Sequence, residues 1–165
     1  MIISDMGKLL EIDSDDFVLS TFMLFVQTAQ EVLKYIDACL YRKTGLSTSK
    51  IIILKTLASS SRSMMPSEIA RWTNTERHNI TVLIRRMKQD GLVTAERDSS
   101  HKRVVNIQLT VKGREVLSQA MPVAQKIVNQ VMLSITEGDA ALLKERLKVL
   151  RQNAHRGLEH IAKHS

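Results

Sequence analysis

The sequence predicts a mainly helical chain with one small β-hairpin, in which a compact module of short helices and the hairpin lies between two long helical flanks. Three observations carry that prediction. Apolar residues recur at steps of three and four along both flanks, and the period drops to two once, between residues 92 and 109. Only two prolines and six glycines punctuate the 165 residues, so long helices can run.

The elements follow in order. Residues 1–14 are mixed and acidic and read as a loose arm. Val18, Phe22, Phe25, Ala29, Val32, Ile36 and Leu40 then form one face of a long helix, which Gly45 ends. Ser47 is placed to cap a second helix carrying Ile51, Leu54 and Leu57, and Ser59-Ser60-Ser61 reads as a loop. Pro66 suits the first turn of a short helix through Ile69, Ala70 and Trp72, with Asn74 as a turn residue. The next helix, read from Thr75 to Met87, turns Ile80, Leu83, Ile84 and Met87 inward and stops at Asp90-Gly91. Leu92–Arg97 and Val104–Leu109 read as two strands, the second alternating Val105, Ile107 and Leu109 with polar residues. Thr110 caps a helix with Leu117, Ala120, Ala124, Ile127 and Val131 on one face, and Pro122 inside it predicts a kink. A last helix restarts at Thr136–Asp139 and carries Leu143, Leu147, Leu150, Ala154, Leu158 and Ile161.

Composition narrows the class. The chain is 44% hydrophobic and 25% charged, ordinary for a folded protein, and its net charge of +7 favours an acidic partner. One cysteine cannot form an intramolecular disulfide, and the start Met1-Ile2-Ile3-Ser4-Asp5 lacks the basic opening and apolar run of a signal peptide. No apolar run approaches the ~20 residues of a membrane helix. The expectation is therefore a cytoplasmic protein with no membrane partner. No phosphate-binding glycine loop, nucleophile elbow or zinc-hydrolase motif is present, so the reading is not an enzyme, and no cofactor is expected.

A short helix, a tight turn and a second helix are what a protein needs to reach into a DNA major groove. Ser67–Asn74 supplies the first part and the Thr75–Met87 stretch the second. At about 100° per residue, the inward face leaves His78, Thr81, Val82 and Arg85 outward, flanked by Asn79 and Arg86. Arg77 suits a guanine edge, Asn79 an adenine edge, and Val82 or the Thr81 methyl a thymine methyl. Base reading is thus assigned to Arg77, His78, Asn79, Thr81 and Val82, and phosphate contact to Arg85, Arg86 and Lys88. The hairpin adds Arg97, His101, Lys102 and Arg103, candidates for the narrow minor groove, Arg103 above all. The competing reading of both features is a solvated amphipathic helix and a charged hairpin tip. A module in this order that binds a protein instead of DNA is the alternative function.

The stretch Ser67 to Gly113 resembles the MarR family of winged helix-turn-helix transcription regulators. Four pieces carry the resemblance: Glu68-Ile69-Ala70, the helix exit Met87-Lys88-Gln89-Asp90-Gly91-Leu92-Val93, the wing Asp98-x4-Arg103, and Leu109-Thr110-x2-Gly113. His101 stands where the family's wing usually has a second acidic residue, and Thr75 where it commonly has an apolar one. The resemblance implies a homodimer joined through residues 15–45 and 111–163, with a winged helix-turn-helix domain at 46–110. It implies a pseudo-palindromic site on double-stranded DNA, repression, and a crevice between dimer helices and winged domain that takes a small phenolic or lipophilic effector. Two further features lie outside this module. Cys39, beside the apolar stripe of the first long helix, is a candidate redox sensor or a packed small residue. His155, His160 and His164 end the last helix at a spacing that allows chelation, yet only Glu159 accompanies them, and no metal is assigned.

Overall fold

The structure, a computed structural model, describes residues 16–97 and 105–164. The described elements are α1 (Phe17–Thr44), α2 (Thr48–Ser59), α3 (Pro66–Thr73), α4 (Arg77–Gln89), β1 (Val93–Arg97), β2 (Val105–Leu109), α5 (Val111–Val131) and α6 (Glu137–His164). The chain divides into two compact units, the first reaching to Val128 and the second starting at Asn129. The predicted class holds: the chain is mainly helical with one two-stranded antiparallel hairpin.

In the first unit each helix has a chemical reason to begin and end. Asp16 accepts from the amides of Val18 and Leu19 at 2.9 and 3.2 Å and so caps α1. Gly45 closes α1 at φ 69°, a left-handed conformation that an L side chain resists. Ser47 caps α2 through the Lys50 amide, as its sequence position suggested, and Asp37 of α1 accepts from the Thr48 amide at 2.7 Å. Pro66 opens α3, where Glu68 reaches back to the Met65 amide at 2.8 Å. The core that results is aliphatic: Leu40, Ile53, Leu54, Ile69, Ile80, Met87, Val93, Ile107 and Ile127 are almost fully buried.

The hairpin pairs Val93 with Leu109 and Arg97 with Val105 at its two ends. A third backbone segment joins it. Met64 donates to and accepts from Ile107, at 3.0 and 2.9 Å, so the residues before α3 are stitched to β2. This bridge is not legible in the sequence, because a single paired residue has no period.

The junction from β2 into α5 explains the Leu109-Thr110-x2-Gly113 spacing. The Thr110 hydroxyl donates to the Gly91 and Leu92 carbonyls, at 2.8 and 3.0 Å, and accepts from the Gly113 amide at 2.9 Å. A Cβ on Gly113 would stand 2.1 Å from the Leu92 carbonyl oxygen, so only glycine lets α5 pass this close to the start of β1. α5 runs on through Pro122 to Val131.

The second unit contains α6, preceded by a cap in which the Asp139 amide donates to Thr136 Oγ1. α6 buries none of its residues within the unit.

Candidate nucleic-acid interface

The site is built around α3, its following turn, and α4. The turn is a Schellman-type closure. Asn74 lies at φ 49°, its amide donates to the Arg71 carbonyl at 3.4 Å, and the Thr75 amide reaches back to Ala70 at 3.0 Å. Thr75, the departure from the family pattern, is half-buried, and its hydroxyl donates to the Thr73 carbonyl at 3.2 Å. It therefore ties the turn by hydrogen bonds where an apolar residue would pack. Thr75 and Glu76 belong to this turn and not to α4, because Glu76 keeps an extended ψ of 135°. The helix starts at Arg77 and runs to Gln89, two residues beyond the stretch read from sequence.

α4 presents two faces. Ile80, Ile84 and Met87 are buried and Leu83 half-buried against the core. Arg77, His78, Asn79, Thr81, Arg85, Arg86 and Lys88 are exposed, and Val82 is half-buried at their edge. Among the described residues Arg77, Arg85 and Arg86 enter no ion pair. Glu76 caps no amide with its side chain, so the first turn of α4 offers unsatisfied N–H groups beside Arg77. Thr81 donates its hydroxyl to the Arg77 carbonyl at 3.0 Å, which leaves its methyl and its lone pairs outward. Lys88 is drawn back toward the hairpin, its ammonium donating to the Ala95 carbonyl at 3.3 Å.

Arg71, given no role in the sequence, and Asp90, read there only as a helix stop, belong here. Arg71 lines a shallow hollow at the turn together with Asn74, Glu76 and Arg77, placing a second guanidinium beside the start of α4. Its position one turn before Asn74 is the signal that could have found it. Asp90, at the exit of α4, is held from two sides. Lys50 of α2 pairs with its carboxylate at 2.7 Å, and Lys112 of α5 donates to its carbonyl at 2.8 Å. Gly91 at φ 72° then completes another Schellman closure, with Gly91 and Leu92 donating to Lys88 and Met87.

The wing is only partly within view. Arg97 pairs with Val105 through the backbone at the end of β1, while His101, Lys102 and Arg103 lie outside the described residues. The acidic residue of the Glu68-Ile69-Ala70 piece is well placed. Arg62 grips its carboxylate with both terminal guanidinium nitrogens. That bond, together with the Met65 amide, lowers the Glu68 carboxyl to about 2.

Cys39 is half-buried against the core, next to Tyr35, whose phenol is raised from its ordinary value by a hydrogen bond to that thiol. At the end of α6, His155 faces Glu159 at 3.3 Å and His164 places Nδ1 2.8 Å from the His160 carbonyl. Among the described residues no group of three His, Cys, Asp or Glu converges as metal ligands. No described helix is long and apolar enough to cross a membrane.

Comparison with known proteins agrees with this geometry. A family profile described as the MarR family matches residues 44–104, which take in α2 through β1 and stop short of β2. The HTH-type transcriptional repressor YetL of Bacillus subtilis is 29% identical over 115 residues, covering 65% of this chain and 69% of YetL. The organohalide-sensing transcriptional regulator RdhR-CbdbA1625, solved in its 2,4-dichlorophenol-bound form, superposes with a TM-score of 0.78 at 26% identity, over 87% of this chain and 84% of that one. Sco3205, a MarR family regulator of Streptomyces coelicolor solved in complex with DNA, shares the fold with a TM-score of 0.76 at 24% identity, over 81% and 84% of the two chains. Over residues 44–104 the chain thus matches the MarR family, a family of transcriptional regulators, and over most of its length it shares the fold of a solved transcriptional regulator.

Proposed function

We propose that this chain is a homodimeric repressor that binds a pseudo-palindromic duplex DNA site and is released from it by a small molecule. The observation that carries the reading is the outer face of α4, which is polar and basic, exposed, and free of ion pairs among the described residues. A helix that docked on a protein would more naturally offer apolar side chains there. In this reading Arg77, His78, Asn79, Thr81 and Val82 meet base edges, and Arg85, Arg86 and Lys88 meet phosphates. Arg97, His101, Lys102 and Arg103 serve the minor groove. Residues 46–110 form the DNA-binding domain, and 15–45 with 111–163 join two copies. Repression is supported by the similarity to YetL, and release by a ligand through the similarity to a regulator solved with 2,4-dichlorophenol bound.

The test is footprinting and anisotropy titration on the DNA flanking the chain's own gene. Protection of an inverted repeat, with half-site centres roughly one helical turn apart, is the expected result. Arg85→Ala should weaken binding across sequences and lower the slope of log K against log salt by about one. Binding that ignores salt and sequence would defeat the reading. Charge reversal at Arg77 that leaves regulation intact would favour a protein-interaction module.

A further inference from the structure

The end of α6 carries two histidines that the proposed function does not use. His160 and His164 stand four residues apart, so the helix sets them on one face, and both are exposed. Their ring centres lie 4.3 Å apart, with the planes inclined at 42°. His155 is not on this face. It precedes His160 by five residues, about 140° around the helix, and its Nε2 faces Glu159 at 3.3 Å.

The hydrogen bonding of the pair sets its chemistry. His164 Nδ1 lies 2.8 Å from the His160 carbonyl oxygen. A carbonyl only accepts, so Nδ1 carries the ring proton and Nε2 keeps a free lone pair. Metal-bound imidazoles are held in this way, one nitrogen donating to a carbonyl while the other ligates. The ring separation bears on the ion. With metal–nitrogen bonds of ~2.0–2.1 Å, each ring centre stands ~3.2 Å from a shared ion, so ligands at about 90° put the centres ~4.5 Å apart and tetrahedral ones ~5.2 Å apart. The observed 4.3 Å is close to the right-angled case. Among the described residues no group of three His, Cys, Asp or Glu converges, so water fills the remaining positions of such a shell.

We propose that His160 and His164 form a two-imidazole clamp for a late first-row divalent cation, Cu²⁺ or Ni²⁺. The ion takes the two rings as neighbouring ligands of a square or tetragonal shell. Both ions favour that geometry and imidazole nitrogen, whereas Zn²⁺ favours a tetrahedral site and Ca²⁺ and Mg²⁺ take oxygen ligands. The clamp also lies in the last turns of its helix, where outward carbonyls favour positive charge. It is contained in one helix and depends on neither DNA nor a second copy.

The experiment titrates the untagged full chain, without DNA, with Cu²⁺, Ni²⁺ and Zn²⁺ in turn by calorimetry, and records the EPR spectrum of the Cu²⁺ form. Cu²⁺ should bind saturably in the micromolar range, with an axial spectrum showing nitrogen hyperfine structure, and Ni²⁺ should bind more tightly than Zn²⁺. His160→Ala and His164→Ala should each weaken this site at least about tenfold, since even the loss of an outer-shell partner costs that much. His155→Ala, which removes an imidazole from another face, should leave the site unchanged. All three positions are exposed, so helical content should be the same in every variant. No saturable binding up to millimolar Cu²⁺ would overturn the proposal. So would a site that survives the loss of both His160 and His164, an equal weakening in His155→Ala, or tighter binding of Zn²⁺ than of Ni²⁺.

Discussion

Gly113 and Glu68 show what single residues decide here. A methyl on Gly113 meets a backbone carbonyl at 2.1 Å and Leu109 Cδ1 at 2.8 Å, and the carbonyl cannot swing away, because the Thr110 hydroxyl already bonds it. Gly113→Ala should therefore cost about 3 kcal/mol, at the upper end for overpacking, as read by urea unfolding. A loss under about 0.5 kcal/mol would mean that α5 does not approach β1 this closely. Glu68 makes a prediction in pH. Its carboxyl is lowered to about 2 in the folded chain from an ordinary value of 4.5, through the Arg62 bond first and the Met65 amide second. A carboxyl lowered by folding stabilises the fold above its unfolded pKa, and the contribution disappears as pH falls through the folded value. Wild type should therefore exceed Glu68→Gln by a constant margin above pH 5, and the margin should close between about pH 4.5 and 2. A margin that stays flat across that window would show that the carboxylate charge contributes nothing. Both residues sit in motifs legible in the sequence. Their partners were not, since Arg62 and Leu92 are joined to them only by the tertiary fold.

At the scale of elements, the order of helices and hairpin was readable because the apolar period changes between them and turn or capping residues mark most of their ends. Ser47, Pro66, Asp90-Gly91 and Thr110 all mark boundaries where the sequence placed them. The start of α4 was misplaced by two residues for a local reason. Thr75 and Glu76 have no apolar period to separate turn from helix, and it is the backbone of Asn74 that settles the geometry. The turn holds α3 against α4 only while Asn74 keeps its left-handed conformation. Asparagine tolerates that region, whereas a β-branched residue does not. Asn74→Val should lower stability by about 1–2 kcal/mol, with Asn74→Gly close to wild type, as followed by thermal unfolding. Equal losses from both substitutions would indicate that the Asn74 side chain, and not its backbone, matters. The exposed face of α4 was legible because burial follows the helical period.

For the whole molecule, the decisive fact is how much apolar surface the flanking helices leave uncovered. α1 exposes Phe17, Val18 and Phe22, and α6 exposes Leu143, Leu147, Leu150, Leu158 and Ile161 while burying nothing. In the sequence these were the clearest apolar stripes of the chain, yet a stripe states only that a face needs a partner, not which one. Burying one leucine fully stabilises by roughly 1.5–3 kcal/mol, so several together are comparable with the ~5–15 kcal/mol by which a domain is usually stable. A second copy of the chain supplies a matching stripe for each, in keeping with the proposed homodimer. Two measurements follow. Sedimentation should give a dimer at micromolar concentration, and the unfolding temperature should rise with protein concentration, since association stabilises by mass action. The double variant Leu147→Lys with Leu150→Lys should shift the chain toward monomer. It should leave the packing around Ile69, Ile80 and Met87 intact, because neither leucine belongs to that core. Trp72, which belongs to the first unit while both substitutions belong to the second, should keep its emission spectrum in the variant. A wild-type chain that sediments as a monomer, with an unfolding temperature independent of concentration, would remove the mutual burial on which the two-headed reading of DNA rests.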